Sequence, residues 1–466
     1  MIVMSIKKIF DEKIKVNTEV NIYGWVKNKR NSKMGFSFID VYDGSCVKSL
    51  QVIVDSSVKN YFKELLFLTT GCSILVHGIL VYSKGTKQKY EVQANKIKVI
   101  GWIKNSNKYP ISSKKHTLEY LREVSHLRPR TNIFGVIIRI RNCFAHYLRN
   151  FLYLNDFAWV PTPIITELNA EGAGNMFYVS TLNSVNSSYY KKNVTDNTKN
   201  FFGKKTFLTV SGQLTLETYA CAVSKVYTFG PTFRAESSNT TRHLSEFWMC
   251  EIEQAFSSLE DIILLAQNIL KYTVKKVLDS CFLDIEFLEK NIDNTIIKRL
   301  SNFIENKFIE IEYDEAIRIL KKFNNHFKEP VIWGMDISTE HERFFLEIYF
   351  LQPIIIKNYP KELKAFYMRL NKDEKTVAAM DILVPKMGEI IGGSQREERL
   401  KQLDQRLLEC QLNIKDYWWY RDIRKYGTVP HSGFGLGFER FLCYITGLNN
   451  VKDMIPFPRT VNNSNF

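Results

Sequence analysis

Over the first quarter of the chain, hydrophobic residues come in short β-rich runs that are separated by turn residues. Between Val20 and Ile103 five such runs have the length of a strand, namely VNIYGWVKN, GFSFIDVYDG, SLQVIVD, CSILVHGILV and YEVQANKIKVI. Five short strands within about eighty residues predict a small closed β-barrel. The polar and basic residues from Asn105 to Pro129 then predict a linker that contains a short helix.

Beyond this linker the hydrophobic pattern changes its period. From Thr131 to Asp156 it has the period of an amphipathic helix, and the same holds from Leu259 to Leu278. Between these helices the run FAWVPTPIIT predicts a strand, although Pro161 and Pro163 cannot donate to a ladder. This strand is therefore expected at the edge of a sheet or at an interface.

The stretch from Phe229 to Phe256 has the pattern of two antiparallel strands joined by a polar loop. Side chains alternate along a strand, so Arg234 and Glu236 are predicted on one face. On the second strand the same period places four residues on one face: Phe247, Met249, Glu251 and Glu253. Such a surface suits a nucleotide, because a cation binds phosphate oxygens and a ring stacks on a base. An ion-paired hairpin without a ligand explains the same pattern, so both interpretations stay open.

Two later stretches add candidate chemistry. VAAMDILVPKMGEIIGG predicts strand, turn and strand, with Asp381 and Glu389 on opposite sides of the turn. This spacing allows both carboxylates to reach one cation, and Mg²⁺ accepts such oxygens together with retained water. Two surface acids without a metal are the alternative. In GFGLGFER, which begins at Gly433, glycines at alternate positions permit the close approach of a second backbone or a flat ligand.

Length and composition narrow the class of protein. A chain of 466 residues exceeds a single ordinary core, so two or more domains are expected. No run of eighteen apolar residues occurs, no leader-like segment begins the chain, and the eight cysteines stand singly. These features predict a soluble cytoplasmic protein without disulfides or a zinc site. Residues 1–104 contain seventeen Lys and Arg against eight Asp and Glu, which favours a polyanion as a partner unless it reflects the Lys-rich composition of the whole chain.

The order of three short stretches carries a family resemblance. FRAE at 233–236 precedes RHLSEF at 242–247, and GFGLGFER follows near the end of the chain. Together they resemble motifs 2 and 3 of the class II aminoacyl-tRNA synthetases, in the aspartate-like subclass, and the resemblance extends from about Tyr23 to Phe466. It implies an α+β protein with an N-terminal five-stranded OB-type β-barrel and a class II catalytic domain, in which an antiparallel sheet is flanked by helices.

The resemblance also implies a domain organisation and an assembly. Residues 1–104 are expected to form an OB-fold anticodon-binding domain, residues 105–130 a linker, and residues 131–466 the catalytic domain. In the family motif 1 forms the homodimer interface, although a helix buried within one chain would show the same pattern. The three motifs are expected at about 134–166, about 227–256 and about 431–459.

For the nucleotide site, the resemblance implies ATP and two catalytic arginines. Arg234 is expected to bind the α-phosphate. Arg440 is expected to cover the adenine face opposite Phe247 and to contact the γ-phosphate. His431 is expected near the phosphates.

The same resemblance assigns the loop and the metal. Glu236 is expected to accept from the adenine or to order the loop, and Arg242 and His243 are expected to close that loop over the phosphates. Asp381 and Glu389 are expected to hold Mg²⁺ against the phosphates of ATP.

In the amino-acid pocket, the resemblance implies that Glu171 and Gln213 bind the substrate's α-ammonium group. Leu216 and Glu217 stand where aspartate-specific relatives carry lysine and glutamine. An asparagine pocket needs one donor and one acceptor for the side-chain amide, so Arg396 is expected to donate to its carbonyl and Glu217 to accept from its NH2. A helix carboxylate without a ligand is the alternative for Glu217.

These assignments predict a ligase that attaches L-asparagine to tRNA(Asn) through an aminoacyl-adenylate. Aspartate as the substrate, alone or beside asparagine, is the main alternative, and a non-catalytic tRNA-binding relative is the second. On the barrel, Phe38 is expected to stack on the central anticodon uracil, with Gln51 reading its edge and Arg30 contacting the backbone or a base. A core position for Phe36 and Phe38 is the other interpretation.

Overall fold

The computed structural model describes residues 3–86, 88–112, 114–170, 175–181 and 201–466. Contacts divide the chain into two compact units. The first consists of residues 1–140 with 281–288, and the second of residues 141–280 with 289–466. Among the residues that the structure describes, no helix is long and apolar enough to span a membrane.

In the first unit a closed five-stranded barrel follows a short helix, α1, Ile6–Phe10. The strands are β1 Glu19–Asn31, β2 Phe36–Tyr42, β3 Leu50–Asp55, β4 Ser73–Tyr82 and β5 Tyr90–Gly101. They pair in the order β1-β2-β3-β5-β4, and only β3 and β5 run parallel. Along β2 and β3 every second side chain is fully buried, as the period-two pattern predicts. Aliphatic side chains such as Ile39, Val52 and Val76 fill the interior.

After the barrel come helix α2 at Leu118–Glu123 and the long helix α3 at Asn132–Leu154. The predicted strand FAWVPTPIIT is two short strands in the structure, β6 at Ala158–Trp159 and β7 at Ile165–Thr166. The prolines between them account for the interruption, since neither has an N–H for a ladder. β6 lies at the edge of the large sheet, where the prolines predict it. β7 belongs to a small sheet with β8 Tyr178–Val179 and β9 Thr206–Leu208.

A mostly antiparallel eight-stranded sheet forms the centre of the second unit, in the order β12-β13-β14-β15-β16-β11-β10-β6. Only the outer pairs β12–β13 and β10–β6 are parallel. The remaining strands are β10 Lys225–Phe233, β11 Glu246–Ala255, β12 Ile309–Glu312, β13 Ile354–Pro360, β14 Thr376–Val384, β15 Gly388–Gln395 and β16 His431–Gly437. The sheet therefore places the predicted hairpin, the carboxylate turn and the glycine-rich strand side by side.

The helices described from Gln213 onward are α4 Gln213–Val223, α5 Leu259–Ser280, α6 Phe282–Asn291, α7 Ile296–Glu305, α8 Tyr313–Lys322, α9 Thr339–Arg343, α10 Leu400–Glu409, α11 Trp418–Lys425 and α12 Phe438–Thr446. Those of the second unit flank the sheet, whereas most of α6 belongs to the first unit. Helix α12 ends at Gly447, which adopts a left-handed conformation with φ of 75°. Aromatic rings of α3 and α12 stack, with the Phe144 and Phe438 centroids 4.9 Å apart. The Phe438 ring also contacts Phe229 of β10, with the centroids 5.1 Å apart, so the helix that carries Arg440 packs against the sheet.

Candidate active site and anticodon face

A polar cavity of about 410 Å³ lies on the central strands of the large sheet. Ten of the predicted site residues line it: Gln213, Arg234, Glu236, Arg242, His243, Phe247, Asp381, Glu389, Arg396 and Arg440. These residues come from segments that span more than two hundred positions of the chain, and the strand order is what brings them together.

One end of the cavity has a cation beside an aromatic ring. The guanidinium carbon of Arg234 lies 5.5 Å from the centroid of the Phe247 ring. Arg440, in the first turn of α12, donates from Nη1 to the backbone oxygen of Glu389 over 3.3 Å. A flat base beside the Phe247 ring and anionic groups beside the two guanidinium groups would be bound by ordinary stacking and charge-assisted hydrogen bonds.

The sequence predicts Arg234 and Glu236 on one face of a strand, but β10 ends at Phe233 and both residues lie beyond it. Both belong instead to the motif 2 loop, which we define as residues 234–245. Its first residue still continues the ladder, with Arg234 N–H donating to Ser245 O over 3.0 Å. The strand pair therefore fixes the backbone of Arg234, although this residue lies beyond the end of β10.

Polar contacts also order the far end of the motif 2 loop. His243 Nδ1 lies 2.6 Å from Thr240 Oγ1, and Arg242 donates from Nη1 to Glu342 Oε2 over 2.7 Å. Burial lowers the pKa of His243, and the positive charge of Arg440 acts in the same direction.

The two carboxylates of the predicted metal site meet over one glycine. A Cβ atom on Gly392 would lie 3.2 Å from Glu389 Oε1 and 3.5 Å from Asp381 Oδ1. Burial raises the pKa of Asp381 and Glu389 adds to the rise, whereas Lys364 opposes it by donating to Asp381 Oδ2 over 2.6 Å. Two hard carboxylate oxygens at an open cavity fit Mg²⁺ that keeps water or phosphate as its other ligands. Among the described residues no group of three or more His, Cys, Asp or Glu could hold a metal.

At the other end of the cavity, Arg396 and Glu253 form a fully buried pair. Arg396 donates from Nε to Glu253 Oε2 over 3.2 Å, from Nη2 to Glu253 Oε1, and from Nη1 to Ser394 Oγ over 2.7 Å. Burial raises the pKa of Glu253, although the positive charge of Arg396 opposes this rise. Gly433 makes room for the pair, since a Cβ atom there would lie 2.3 Å from the Glu253 carboxyl.

Glu251 lies one side-chain repeat before Glu253 on the same face of β11, and it also lines the cavity. Gly212 N–H donates to its Oε2 over 2.9 Å, and Ser211 Oγ donates to its Oε1. Met249 occupies the preceding position of this face, and a Cβ atom on Gly435 would lie 2.4 Å from its Cε. Gly433 and Gly435 of β16 thus accommodate side chains of the neighbouring strand β11, and Gly435 and Gly437 also line the cavity.

Glu217 does not line the cavity, which changes its expected role. It is fully buried behind Gln213, whose Nε2 donates to Glu217 Oε1 over 3.0 Å. Tyr420 donates its hydroxyl hydrogen to the same carboxylate, and Arg424 Nη2 donates to Oε2 over 2.7 Å. His431 Nε2 lies 2.9 Å from Oε2. Burial would raise the pKa of Glu217, but Arg424 and His431 hold it below its usual value.

The assignment of Glu217 as the acceptor for a substrate amide is therefore corrected. A helix carboxylate without a ligand, the alternative interpretation, matches the geometry, because Glu217 is fully buried outside the cavity and bonds to side chains of the protein. The expected position of His431 near the phosphates is corrected for the same reason. Leu216 also points away from the cavity and packs in a small core with Val160 and Val226.

The first unit brings the three predicted anticodon residues together on the outside of the barrel. Arg30 on β1 pairs with Phe38 on β2, and its guanidinium carbon lies 5.3 Å from the Phe38 ring centroid. Its Nη2 lies 3.5 Å from Gln51 Oε1, and Gln51 Nε2 donates to Glu91 Oε2 over 3.2 Å. The rings of Phe36 and Phe38 are both half-buried and meet edge to face, so neither belongs to the barrel interior.

Comparison with known proteins finds a family for each of two parts of the chain. Residues 117–461 match the family described as tRNA synthetases class II (D, K and N), and residues 20–100 match the OB-fold nucleic acid binding domain. The asparagine–tRNA ligase of Buchnera aphidicola subsp. Acyrthosiphon pisum (strain APS) is 59% identical over 463 residues, which cover 99% of each chain. The chain belongs to the class II tRNA synthetases, in the asparagine–tRNA ligase family.

Other relatives place this synthetase in the same family. The asparagine–tRNA ligase of Glaesserella parasuis serovar 5 (strain SH0165) is 55% identical over 462 residues, which cover 99% of each chain. Among solved structures, asparaginyl-tRNA synthetase from Pyrococcus horikoshii in complex with asparaginyl-adenylate superposes with a TM-score of 0.86 at 31% identity. That match covers 99% of this synthetase and 98% of the other chain.

Glu171, expected to bind the α-ammonium group, lies outside the residues that the structure describes, as do residues 182–200.

The sequence of this synthetase did not predict the Arg396–Glu253 pair or the bond from Ser211 to Glu251. Alternation along β11 placed Glu251 and Glu253 on the correct face, but no sequence pattern joins Glu253 to an arginine 143 positions away.

Proposed function

We propose that this synthetase activates L-asparagine with ATP and transfers the activated acyl group to tRNA(Asn). One observation carries the proposal: a single cavity joins the Arg234, Arg440 and Phe247 end to the buried Arg396–Glu253 pair. The first end suits a nucleotide, and the second offers a donor and an acceptor for a side-chain amide. A relative with an adenylate bound, the Pyrococcus horikoshii synthetase, supports the use of ATP.

Selection of asparagine is assigned to Arg396 and Glu253. Arg396 donates to the carbonyl oxygen of the substrate amide, and a Glu253 oxygen accepts from its NH2 group. Aspartate would bring a second carboxylate against Glu253 in a buried site, so repulsion acts against it. Gln213 and Glu251 are left to face the α-ammonium group, and the buried Glu217 positions Gln213 through the hydrogen bond that joins them.

In the first chemical step, a carboxylate oxygen of asparagine attacks the α-phosphorus of ATP. A bond forms between that oxygen and phosphorus, the bond from phosphorus to the bridging oxygen breaks, and pyrophosphate leaves with its electron pair. The residues contribute orientation and charge rather than proton transfer. Arg234 holds the α-phosphate, Arg440 and Phe247 enclose the adenine, and Arg242 and His243 face the leaving phosphates.

Mg²⁺ would be held by Asp381 and Glu389, and when bound it would neutralise phosphate charge. Lys364 already neutralises part of the Asp381 charge. We expect Asp381→Asn and Glu389→Gln to need a higher Mg²⁺ concentration than the parent protein for half-maximal pyrophosphate exchange. Exchange measured over a range of Mg²⁺ concentrations checks this assignment. An unchanged Mg²⁺ requirement in both variants would contradict it.

We also propose that the protein forms a homodimer through motif 1 and that it acts in the cytoplasm. Trp159 at the sheet edge is 52% exposed, and Tyr153 and Leu154 at the end of α3 are also exposed. A partner subunit would cover this apolar group, and the mass of the protein in solution tests that expectation. All eight cysteines are free thiols, which fits a reducing compartment.

We expect Phe38→Ala to weaken the charging of tRNA without changing the activation of asparagine. Loss of one stacked base costs about 1–3 kcal/mol, so kcat/KM for tRNA should fall by about 5–150-fold. Asparagine-dependent pyrophosphate exchange should stay unchanged, because the adenylation site lies in the other unit. The exposed Phe62, which lies outside the strands, provides the control Phe62→Ala. Equal losses in both variants would contradict the assignment of Phe38.

The experiment that tests the proposed function is the charging of total tRNA with labelled asparagine and, separately, with labelled aspartate. We expect charging with asparagine and little with aspartate, because only the amide satisfies both Arg396 and Glu253. Comparable charging with both amino acids would overturn the selectivity. Charging with aspartate alone would overturn the proposed substrate.

A further inference from the structure

Glu342 lies just behind the nucleotide end of the cavity, in the short helix α9. Its carboxylate contacts two separate elements of the site. Oε2 accepts from Arg242 Nη1 over 2.7 Å, and Oε1 accepts from the backbone N–H of Glu389 over 3.2 Å. One buried carboxylate therefore joins the motif 2 loop to β15, the strand that carries the proposed metal ligand Glu389.

The packing around this carboxylate is close and depends on a glycine. Gly388 has φ of +80°, and a Cβ atom there would lie 2.3 Å from Glu342 Oε2 and 2.8 Å from Arg242 Nη1. Any other residue at this position would push the two charged groups apart. Burial raises the pKa of Glu342, whereas the ion pair with Arg242 opposes that rise.

Arg242 itself is a long side chain on a loop of half-exposed residues. Its guanidinium is held through Nη1, which donates to Glu342 Oε2. An arginine that is already ordered loses less conformational entropy when a phosphate binds. The same carboxylate holds the first peptide of β15, so the position of Glu389 is linked to the position of Arg242.

We propose that Glu342 is a positioning residue that fixes Arg242 and Glu389 relative to each other before ATP binds. The inference rests on the proposed function, since it assigns the order of the ATP site to a residue outside the cavity. Glu342 acts through two neighbours and does not contact the substrate. Its loss should therefore weaken the binding of ATP and leave the binding of asparagine unchanged, because Arg396 and Glu253 have no contact with it.

The test compares Glu342→Ala and Glu342→Gln with the control Glu347→Gln in asparagine-dependent pyrophosphate exchange. Glu347 is an exposed carboxylate that follows Glu342 by five residues. The control therefore removes the same charge and leaves the ion pair between Arg242 and Glu342 in place. We expect Glu342→Ala to raise KM for ATP about tenfold or more, with KM for asparagine within about twofold of the parent value. Glu342→Gln keeps the shape of the side chain and an acceptor, and it should show a smaller rise.

A double-variant comparison separates positioning from a merely structural role. In an Arg242→Ala background, Glu342→Ala should raise KM for ATP by much less than it does alone, because the partner through which it acts is gone. An unchanged KM for ATP in Glu342→Gln and Glu342→Ala would overturn the inference, as would an equal rise for both substrates. If the parent protein shows no asparagine-dependent exchange, the proposed function fails instead.

Discussion

Arg234→Ala lowers asparagine-dependent pyrophosphate exchange by more than about a hundredfold, which is the range expected when one preorganised donor to developing phosphate charge is lost. Arg234 lies beside the Phe247 ring at the nucleotide end of the cavity, and its backbone is fixed by the bond to Ser245. The variant should fold normally, because the guanidinium borders a cavity rather than filling the core. Pyrophosphate exchange together with thermal unfolding measures both parts of the expectation.

The matched control for this variant is Arg318→Ala. Arg318 is exposed on α8, far along the chain from the motif 2 loop, and its loss removes the same charge. We expect exchange within about twofold of the parent protein for this control, as for most surface substitutions. Near-normal exchange in Arg234→Ala would remove Arg234 from the phosphate site.

The second large effect is expected for Arg396→Lys. Lysine keeps the positive charge beside Glu253 but cannot make the paired bonds through Nε and Nη2 or reach Ser394 at the same time. Donation to the substrate carbonyl is lost with that geometry, so kcat/KM for asparagine should fall by more than about a hundredfold. KM for ATP should change little, since the nucleotide end lies at the other side of the cavity. Steady-state exchange with each substrate varied in turn measures the two effects.

A suitable control is Arg399→Lys. Arg399 binds Glu397 and the backbone oxygen of Leu370, and it does not line the cavity. It tests whether the loss of any arginine fork in this segment produces the same defect. A fall that is equal in Arg399→Lys, or a large rise in KM for ATP in Arg396→Lys, would contradict the assignment.

The barrel and the central hairpin could be predicted because their signals are local. Alternation of buried and exposed residues along β2 and β3 is visible in the sequence, and so is the polar loop between β10 and β11. The meeting of Arg234 and Arg440 in one cavity came from the family resemblance rather than from any local pattern. It required the strand order of the sheet, which local patterns do not carry.

Glu217 shows where sequence reasoning fails. A carboxylate at the start of a helix that follows a substrate-binding glutamine looks like a ligand-binding group. Its partners Tyr420, Arg424 and His431 lie more than two hundred positions away, and they turn it into part of the buried structure. Glu342 is the opposite case, since nothing in its sequence surroundings connects it with Arg242, one hundred positions earlier. The contacts of both residues are ones that only the folded chain creates.

The central claim is that Arg234 and Arg440 act on one triphosphate in a cavity that also holds the amino acid. A crystal structure of the protein with ATP, Mg²⁺ and a non-reactive asparagine analogue tests it most directly. The account predicts adenine between Phe247 and Arg440, the α-phosphate on Arg234, and the side-chain amide between Arg396 and Glu253. Density for the triphosphate away from either guanidinium, or an amide that contacts neither member of the Arg396–Glu253 pair, would contradict it.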